Sequence, residues 1–163
     1  MGRMKNRIFG LWSLILLLSG VPALADVGER PQAISFELLG RGLLYSINFD
    51  RMVSEKFLVG AGLSAYSISG EGVSSTLFVV PIFGNYYFSP GVSHGFVTAG
   101  VDVLLASESV GGNGVFVGSG LAPVAGGGYE YRGDGGFLFR AAPYAVFGRT
   151  VLVWFGTSFG YAF

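Results

Sequence analysis

The last thirteen residues of the chain, 151–163, alternate between two kinds of side chain. A β-strand directs successive side chains to opposite faces, so this segment predicts one strand with two unlike faces. The first face is mostly large and apolar: Val151, Val153, Phe155, Thr157, Phe159, Tyr161 and Phe163. The second is mostly small: Leu152, Trp154, Gly156, Ser158, Gly160 and Ala162. Strand ends fray into water, which disfavours so apolar a terminal strand in a soluble domain, and the pattern predicts a strand that faces lipid.

The start of the chain has the organisation of a secretory signal peptide. Arg3, Lys5 and Arg7 precede an apolar run at 8–19, and Ala23-Leu24-Ala25 is a small-x-small cleavage site. The run is shorter than the roughly 20 residues that a spanning helix needs, which disfavours a membrane anchor. The predicted organisation is a cleaved signal peptide, 1–25, and one mature domain, 26–163.

The composition restricts the function classes that fit the chain. There is no cysteine, which excludes disulfides, thiol catalysis and cysteine-based metal sites. Without the three basic residues of the predicted signal peptide, seven Lys and Arg face ten Asp and Glu, so no basic patch is available for nucleic acid. Hydrophobic residues make up 51% of the chain, yet no later apolar run is long enough for a spanning helix. Hydrophobicity spread over short alternating segments is typical of a membrane-spanning barrel.

Eight segments of the mature chain alternate in this way. They are 33–39, 42–51, 56–67, 75–88, 95–106, 115–132, 136–147 and 151–163. Their number and spacing predict an all-β fold, an eight-stranded antiparallel up-and-down transmembrane β-barrel.

The connections between these segments differ in length on the two sides of the predicted barrel. If residue 163 lies at the periplasmic end, the periplasmic turns are short: 52–55, 89–91 and 133–135. Two connections on the outer side are longer loops, 69–74 and 108–114, and two are tight turns, 40–42 and 148–150. Short periplasmic turns and longer outer loops are the expected asymmetry. Because two of the outer connections are tight, we expect the barrel to present little to the outside.

Several stretches of the mature chain have sequences that are typical of one protein family. They are 34–38, 42–51, 80–82 with 86–88, 136–141 and 156–163. In these stretches the chain resembles a family of small bacterial outer-membrane β-barrel proteins, similar to proteins common in Bacteroidetes. The resemblance implies an eight-stranded barrel in the outer membrane. It also implies that Phe159, Tyr161 and Phe163 form the signal read by the barrel-assembly machinery.

Charged residues fall on the faces that would point inward in a barrel surrounded by lipid. The candidates for a polar interior are Glu37, Asp50, Asp102, Glu130 and Arg140. The interior of an eight-stranded barrel is just wide enough to be filled by side chains, and buried charges have to be paired. We therefore predict a structural polar core in which Arg140 pairs with Glu130, Glu37 or Asp102. The alternative is a path for protons or ions along the same groups.

Two further function classes stay open at this point. A lipid A-modifying outer-membrane enzyme would use a serine and a histidine, and the one histidine, His94, follows Ser93. Adjacent strand residues point oppositely, however, and His94 lies in a predicted periplasmic turn, where we expect it to be solvated. A soluble lipocalin-like carrier would have its apolar face inside, and alternation alone does not say which face is inside.

The favoured interpretation is an integral outer-membrane β-barrel with a structural, adhesive or envelope-related role and no open pore. We expect a protein that is not an enzyme, with no catalytic residue, cofactor or metal site. The expected partners are outer-membrane lipid and lipopolysaccharide and, during biogenesis, the barrel-assembly machinery. We expect a monomer that does not bind nucleic acid.

Overall fold

The described chain forms one closed antiparallel sheet, as the alternation predicted. The computed structural model describes residues 30–70, 73–110 and 113–163, so the predicted signal peptide lies outside the described residues. The strands are β1 (Gln32–Leu38), β2 (Tyr45–Ser54), β3 (Phe57–Gly70), β4 (Val73–Tyr87), β5 (Ser93–Val110), β6 (Asn113–Arg132), β7 (Phe137–Phe147) and β8 (Val151–Ala162). Each strand pairs with its neighbour in sequence, and β1 also pairs with β8, which closes an eight-stranded up-and-down barrel. Among the described residues, no helix is long and apolar enough to cross a membrane.

The barrel closes where its first and last strands meet. Ala33 lies opposite Ala162, and the Gln32 N–H donates to the Phe163 carbonyl at 3.0 Å. The Phe163 N–H donates back to the Gln32 carbonyl at 2.8 Å. These bonds pair the two strands at the seam, where an open sheet would expose two edges. The end of the barrel that holds Gln32 and Phe163 is called the terminal end below, and the opposite end is called the distal end.

The barrel wall has an apolar exterior, and the charged and polar side chains of the wall lie inside together with an apolar cluster. On β1, Ile34 and Phe36 are 50% and 44% exposed, whereas Ser35 and Glu37 are 1% and 0% exposed. Successive side chains therefore point to opposite sides of the wall, as strand geometry requires. The alternation predicted which residues share a face, and the closed structure shows that the polar set is inside.

The distal end is uneven, and the prediction of little projection from the barrel is wrong. The β1 strand has 7 residues, whereas β5 and β6 have 18 and 20. The β3–β4 hairpin continues to Gly70 and Val73, and the β5–β6 hairpin to Val110 and Asn113, so most of both predicted outer loops is strand. Polar residues near the hairpin ends still pair, and Ser69 Oγ donates to Ser74 Oγ at 3.0 Å. The distal wall, as we call it, comprises residues 64–70, 73–79, 104–110 and 113–120.

Glycine on the inner side of the wall leaves room for larger neighbours. A Cβ on Gly62 would overlap Asn48 Oδ1, and a Cβ on Gly60 would overlap the Phe83 ring. The interior is therefore filled by side chains from the strands around these glycines.

An apolar cluster fills much of the interior. Its buried members are Leu58, Phe83, Tyr87, Phe96, Ala122, Val124, Ala142, Tyr144 and Val146. Trp154 is partly buried against this cluster, while Leu152 is 50% exposed. Large residues on the inward face of the last strand are thus accommodated, because Trp154 packs onto the cluster and Leu152 remains half exposed.

Candidate functional site: the polar lumen

The five charged residues that the sequence placed inside the barrel are all buried, but they do not form one site. They are Glu37, Asp50, Asp102, Glu130 and Arg140. The structure groups three of them near the terminal end, places one in a second cluster and leaves one outside both clusters.

The terminal cluster joins β2, β6 and β7 through two carboxylates and two guanidinium groups. Arg140 donates from Nε to Oε2 of Glu130, its neighbour across the β6–β7 pair, and from Nη1 to Asp50 Oδ2 at 2.7 Å. Arg132 donates from Nε to Glu130 Oε1 at 3.1 Å and from Nη2 to Asp50 Oδ1 at 3.3 Å. Because each carboxylate bonds both arginines, the four charges compensate one another, as buried ions must.

Two aromatic rings complete the terminal cluster. The Tyr87 hydroxyl donates to Glu130 Oε2 at 2.6 Å, and His94 Nε2 lies 3.6 Å from Glu130 Oε1. The His94 ring packs edge-on against Tyr87, with 4.6 Å between centroids. His94 is only 8% exposed, so the prediction of a solvated turn histidine is wrong. The physical reason is that β5 begins at Ser93, which puts His94 in strand phase with the inward Phe96.

A second group, called the turn cluster, surrounds Glu37. The Arg41 N–H donates to Glu37 Oε2 at 3.2 Å, and Arg41 Nη2 lies 3.5 Å from Glu37 Oε1. The Tyr144 hydroxyl donates to Glu37 Oε1 at 2.9 Å. The remaining donors to this carboxylate are Ser46, Asn48 and Ser158. One buried carboxylate therefore accepts hydrogen bonds from four strands or turns, which compensates for its loss of water.

Arg41 enters the lumen from the β1–β2 turn. Its guanidinium carbon lies 3.5 Å from the centroid of the Phe83 ring, a cation–π contact, and its Nη1 donates to Asn85 Oδ1 at 3.4 Å. Alternation within strands could not predict this residue, since it lies in a turn. The available signal was an arginine between Gly40 and Gly42 in a connection too short to extend far into solvent.

The β1–β2 turn is held in a strained conformation above the lumen. Leu39 and Leu43 have φ values of 52° and 71°, in the left-handed region that non-glycine residues rarely adopt. Each such residue costs about 1–3 kcal/mol and persists only when its surroundings hold it. Ser64 Oγ donates to the Gly42 carbonyl at 3.1 Å, and the Tyr66 hydroxyl bonds the same carbonyl. These contacts from β3 fix the turn, and with it the arginine that the turn carries.

Asp102 belongs to neither cluster. It is 1% exposed, and its Oδ2 has no hydrogen-bond partner among the described residues. Its neighbours across the sheet, Pro81 and Ala122, have no side-chain donor. Of its three predicted partners, Arg140 bonds Glu130, and its second carboxylate partner among the described residues is Asp50 rather than Glu37 or Asp102.

The lumen is suited to holding the barrel together. Ion pairs cross it from β2 to β7, and apolar rings such as Phe83 and Phe96 fill the space around them. In the part of the chain that the structure describes, no group of three His, Cys, Asp or Glu residues is placed to hold a metal ion. The arrangement can link strands that are not neighbours in the sheet.

The three aromatic residues predicted as an assembly signal lie on the exterior of the terminal end. Phe159, Tyr161 and Phe163 are 47%, 55% and 47% exposed. The Phe159 ring packs against Phe139, with 5.3 Å between centroids, and Tyr161 lies opposite Phe137. An aromatic row is therefore accessible from outside the barrel at this end.

Solved bacterial β-barrels share this fold at low sequence identity. The N-terminal β-barrel domain of Pseudomonas aeruginosa OprF has a TM-score of 0.62 and is 16% identical, over 83% of this chain and 99% of that chain. Ail, the attachment invasion locus protein of Yersinia pestis, in complex with the heparin analogue sucrose octasulfate, has a TM-score of 0.52 and is 12% identical, over 81% of this chain and 92% of that chain. Neisserial surface protein A has a TM-score of 0.49 and is 14% identical, over 80% of this chain and 88% of that chain. No protein-family model matches the chain, and no curated protein sequence matches it. The likeness to OprF and Ail shows the barrel fold.

Proposed function

We propose that the protein is an integral outer-membrane β-barrel with a structural, adhesive or envelope-related role and no open pore. The observation that carries this proposal is the inverted polarity of the wall. Phe36 and Phe159 are exposed on the outside, while Glu37 and Ser158 are buried inside. Exposing apolar surface to water costs roughly 25 cal/mol per Å², so this exterior is better matched by lipid. A closed barrel also pairs the backbone groups of its strands, as a bilayer requires.

The lengths of the strands also support a position in the membrane. β7 and β8 have 11 and 12 residues, close to the roughly 9–11 that a tilted membrane strand needs. In this proposal residues 1–25 are a cleaved signal peptide and the terminal end faces the periplasm. The aromatic row Phe159, Tyr161 and Phe163 is recognised by the barrel-assembly machinery, and the exterior contacts lipid and lipopolysaccharide. We also propose that the protein is related to outer-membrane barrels common in Bacteroidetes.

The filled lumen supports a role without conduction. Arg140 and Arg132 bridge Asp50 and Glu130 near the terminal end, and Arg41 occupies the interior beneath the β1–β2 turn. The interior of an eight-stranded barrel leaves little space beyond its side chains. The role we propose is therefore carried by the exterior and the distal wall, and among proteins of similar fold Ail is an attachment invasion locus protein.

The two competing function classes have less support. In a serine–histidine pair the hydroxyl must reach the imidazole, but His94 points inward to Glu130 while Ser93 Oγ accepts a bond from the Tyr129 hydroxyl at 2.9 Å. A soluble lipocalin-like carrier needs an apolar interior and a polar exterior, the reverse of the polarity found on β1. We therefore propose that the protein is not an enzyme and not a soluble carrier.

Gel migration and extraction test the placement in the membrane. The protein in the membrane fraction should migrate differently on a denaturing gel before and after boiling, because a closed barrel resists unfolding by detergent until it is heated. It should be extracted only by detergent. Release by osmotic shock alone, with unchanged migration on boiling, would contradict the proposal.

Bilayer recordings test the absence of a pore. Pure protein inserted into a planar bilayer should give negligible conductance, since side chains fill the lumen. The double variant Arg41→Ala/Arg140→Ala, which removes two of the filling side chains, is the matched comparison and should show more frequent openings if it inserts. Discrete, frequent openings from the unaltered protein would contradict the closed lumen.

A further inference from the structure

The β6 strand has a free edge at the distal end. Its pairing with β5 runs from Asn113 to Tyr131, but its pairing with β7 begins only at Val124, opposite Val146. Residues 113–123 therefore have one strand neighbour among the described residues. In an antiparallel sheet, alternate residues direct their N–H and C=O groups to opposite sides of the strand. About half of residues 113–123 therefore have backbone N–H and C=O groups without a strand partner in the described part of the chain. We call residues 113–123 the β6 edge.

Natural edges are protected by lysine or other charges, prolines, β-bulges or covering segments. Among the described residues, the β6 edge has one bulge, at Val117, but no charge and no covering strand. Residues 113–123 contain no charged residue, and their one proline, Pro123, lies at the foot of the edge. The other free edge of the distal wall, residues 64–70 of β3, is partly occupied because the Tyr45 hydroxyl bonds the Ala65 carbonyl. The β6 edge is therefore the more accessible of the two for a further strand.

An apolar groove lies beside the β6 edge. It has a volume of about 220 Å³ on the distal wall, and its lining includes Ile68, Leu77, Ala106 and Val117. Ile68 is 79% exposed and Val117 is 54% exposed. Val117 belongs both to the groove and to the β6 edge. A strand added at that edge would direct every second side chain toward the groove side, so apolar residues fit there.

One charge distinguishes this surface. Glu108 lines the groove and is the only charged residue among the described residues of the distal wall. Glu108 lies on β5, opposite Val115 of β6. A strand added on the far side of β6 would therefore lie two inter-strand spacings, about 10 Å, from β5. An extended lysine or arginine side chain can cross that distance to meet a glutamate. The charge of the groove therefore complements a basic residue on the added strand.

We propose that the β6 edge binds an extended segment of a partner protein by strand addition, with its apolar side chains in the groove and a lysine or arginine facing Glu108. Backbone hydrogen bonds supply affinity in this mode of recognition, and the side-chain contacts supply selectivity. The proposal goes beyond membrane residence, and it needs only that the distal wall be accessible.

A short capped peptide of alternating valine and threonine with one central lysine is the probe. Its binding is measured by fluorescence anisotropy on the full chain in lipid nanodiscs, with empty nanodiscs as the reference. Two matched peptides carry glutamate in place of lysine, or N-methyl groups on consecutive backbone nitrogens, which block both edges of the peptide. We expect the lysine peptide to bind about threefold more tightly than the glutamate peptide, the range for an exposed ion pair. N-methylation should weaken binding by about tenfold or more, because it removes edge hydrogen bonds.

Variants of the protein locate the site. Glu108→Lys should reverse the preference between the lysine and glutamate peptides. Gly118 and Gly70 both have open space where a side chain would be added, so a lysine fits at either position without a clash. Gly118→Lys, at the β6 edge, should weaken binding about tenfold, whereas Gly70→Lys, on β3, should leave it unchanged. A shift in gel migration on boiling equal to that of the unaltered protein verifies that each variant folds.

Any of three results would overturn the proposal. The first is that the N-methylated peptide binds as tightly as the lysine peptide, and the second is that Gly118→Lys and Gly70→Lys change binding equally. The third is that the lysine peptide binds empty nanodiscs as tightly as nanodiscs that contain the protein, which would assign the affinity to lipid. Failure of the protein to enter nanodiscs would instead contradict the proposed membrane placement, so the two proposals fail separately.

Discussion

Arg140 Nη1 lies 2.7 Å from Asp50 Oδ2, although β7 and β2 are not neighbours in the sheet. The bond crosses the lumen and ties together strands that are separated by the seam between β1 and β8. Such a contact exists only in the closed barrel. The ion pair between Arg140 and Asp50 therefore helps to hold the barrel closed.

Replacing Arg140 with leucine should destabilise the barrel. Asp50 and Glu130 would then share only Arg132, and breaking a buried ion pair by removing one partner costs about 3–5 kcal/mol. Urea unfolding of the protein in lipid vesicles measures the change. Arg149→Leu, in the exposed β7–β8 turn, is the control and should leave the unfolding midpoint unchanged. An Arg140→Leu protein with the midpoint of the unaltered chain would show that the terminal cluster is not a clamp.

Arg41 and Glu37 should be energetically coupled. Arg41→Met leaves the Glu37 carboxylate without its cation, whereas adding Glu37→Gln removes the charge that the first change exposed. We expect the double variant to be more stable than the sum of the single changes predicts, by about 1–3 kcal/mol. A double-mutant cycle from urea unfolding measures this coupling. Additive effects of the two substitutions would mean that the pair at 3.5 Å contributes little to stability.

The loss of stability caused by an arginine on the exterior should depend on its depth in the membrane. Ile82 lies on the outer face of β4, several residues from the terminal end, and is 40% exposed. Ile82→Arg should cost about 2–4 kcal/mol in lipid vesicles, the range for a charge near the bilayer midplane. Phe116→Arg, on the outer face of the distal wall where Phe116 is 57% exposed, is the comparison and should cost far less. Equal unfolding free energies for the two variants would contradict the proposed membrane position.

Phe163 should matter for assembly in the cell more than for stability. Its backbone bonds to Gln32 do not depend on the side chain, so Phe163→Ala should change the unfolding free energy of refolded protein by only about 0.5 kcal/mol, as at other surface positions. The amount of folded barrel in the outer membrane should fall several-fold. Phe137→Ala, an exposed aromatic residue at the same end, serves as the control. Equal levels of the two variants in the membrane would contradict a signal role for the last residue.

Local pattern predicted the strands well and their ends poorly. The alternation of Ile34 and Phe36 with Ser35 and Glu37 identified β1, because a period of two is a property of single strands. The segments around 69–74 and 108–114 were expected to be loops, since they are rich in glycine, serine and glutamate. The described residues of both segments pair instead, because a partner strand continues beside each of them. Pairing between strands decided those ends, and local composition does not report it.

The sequence by itself determined the all-β fold, the eight strands and the two sets of residues that share a face. Only the tertiary structure decided which set is inside, that Arg140 bonds Asp50, that Arg41 enters the lumen, and that β6 has a free edge. The Arg140–Asp50 bond joins residues 90 positions apart. Its geometry depends on closure of the sheet and on the stagger between strands. Contacts of that kind arise from the relative placement of distant segments, whereas alternation arises from backbone geometry within each segment.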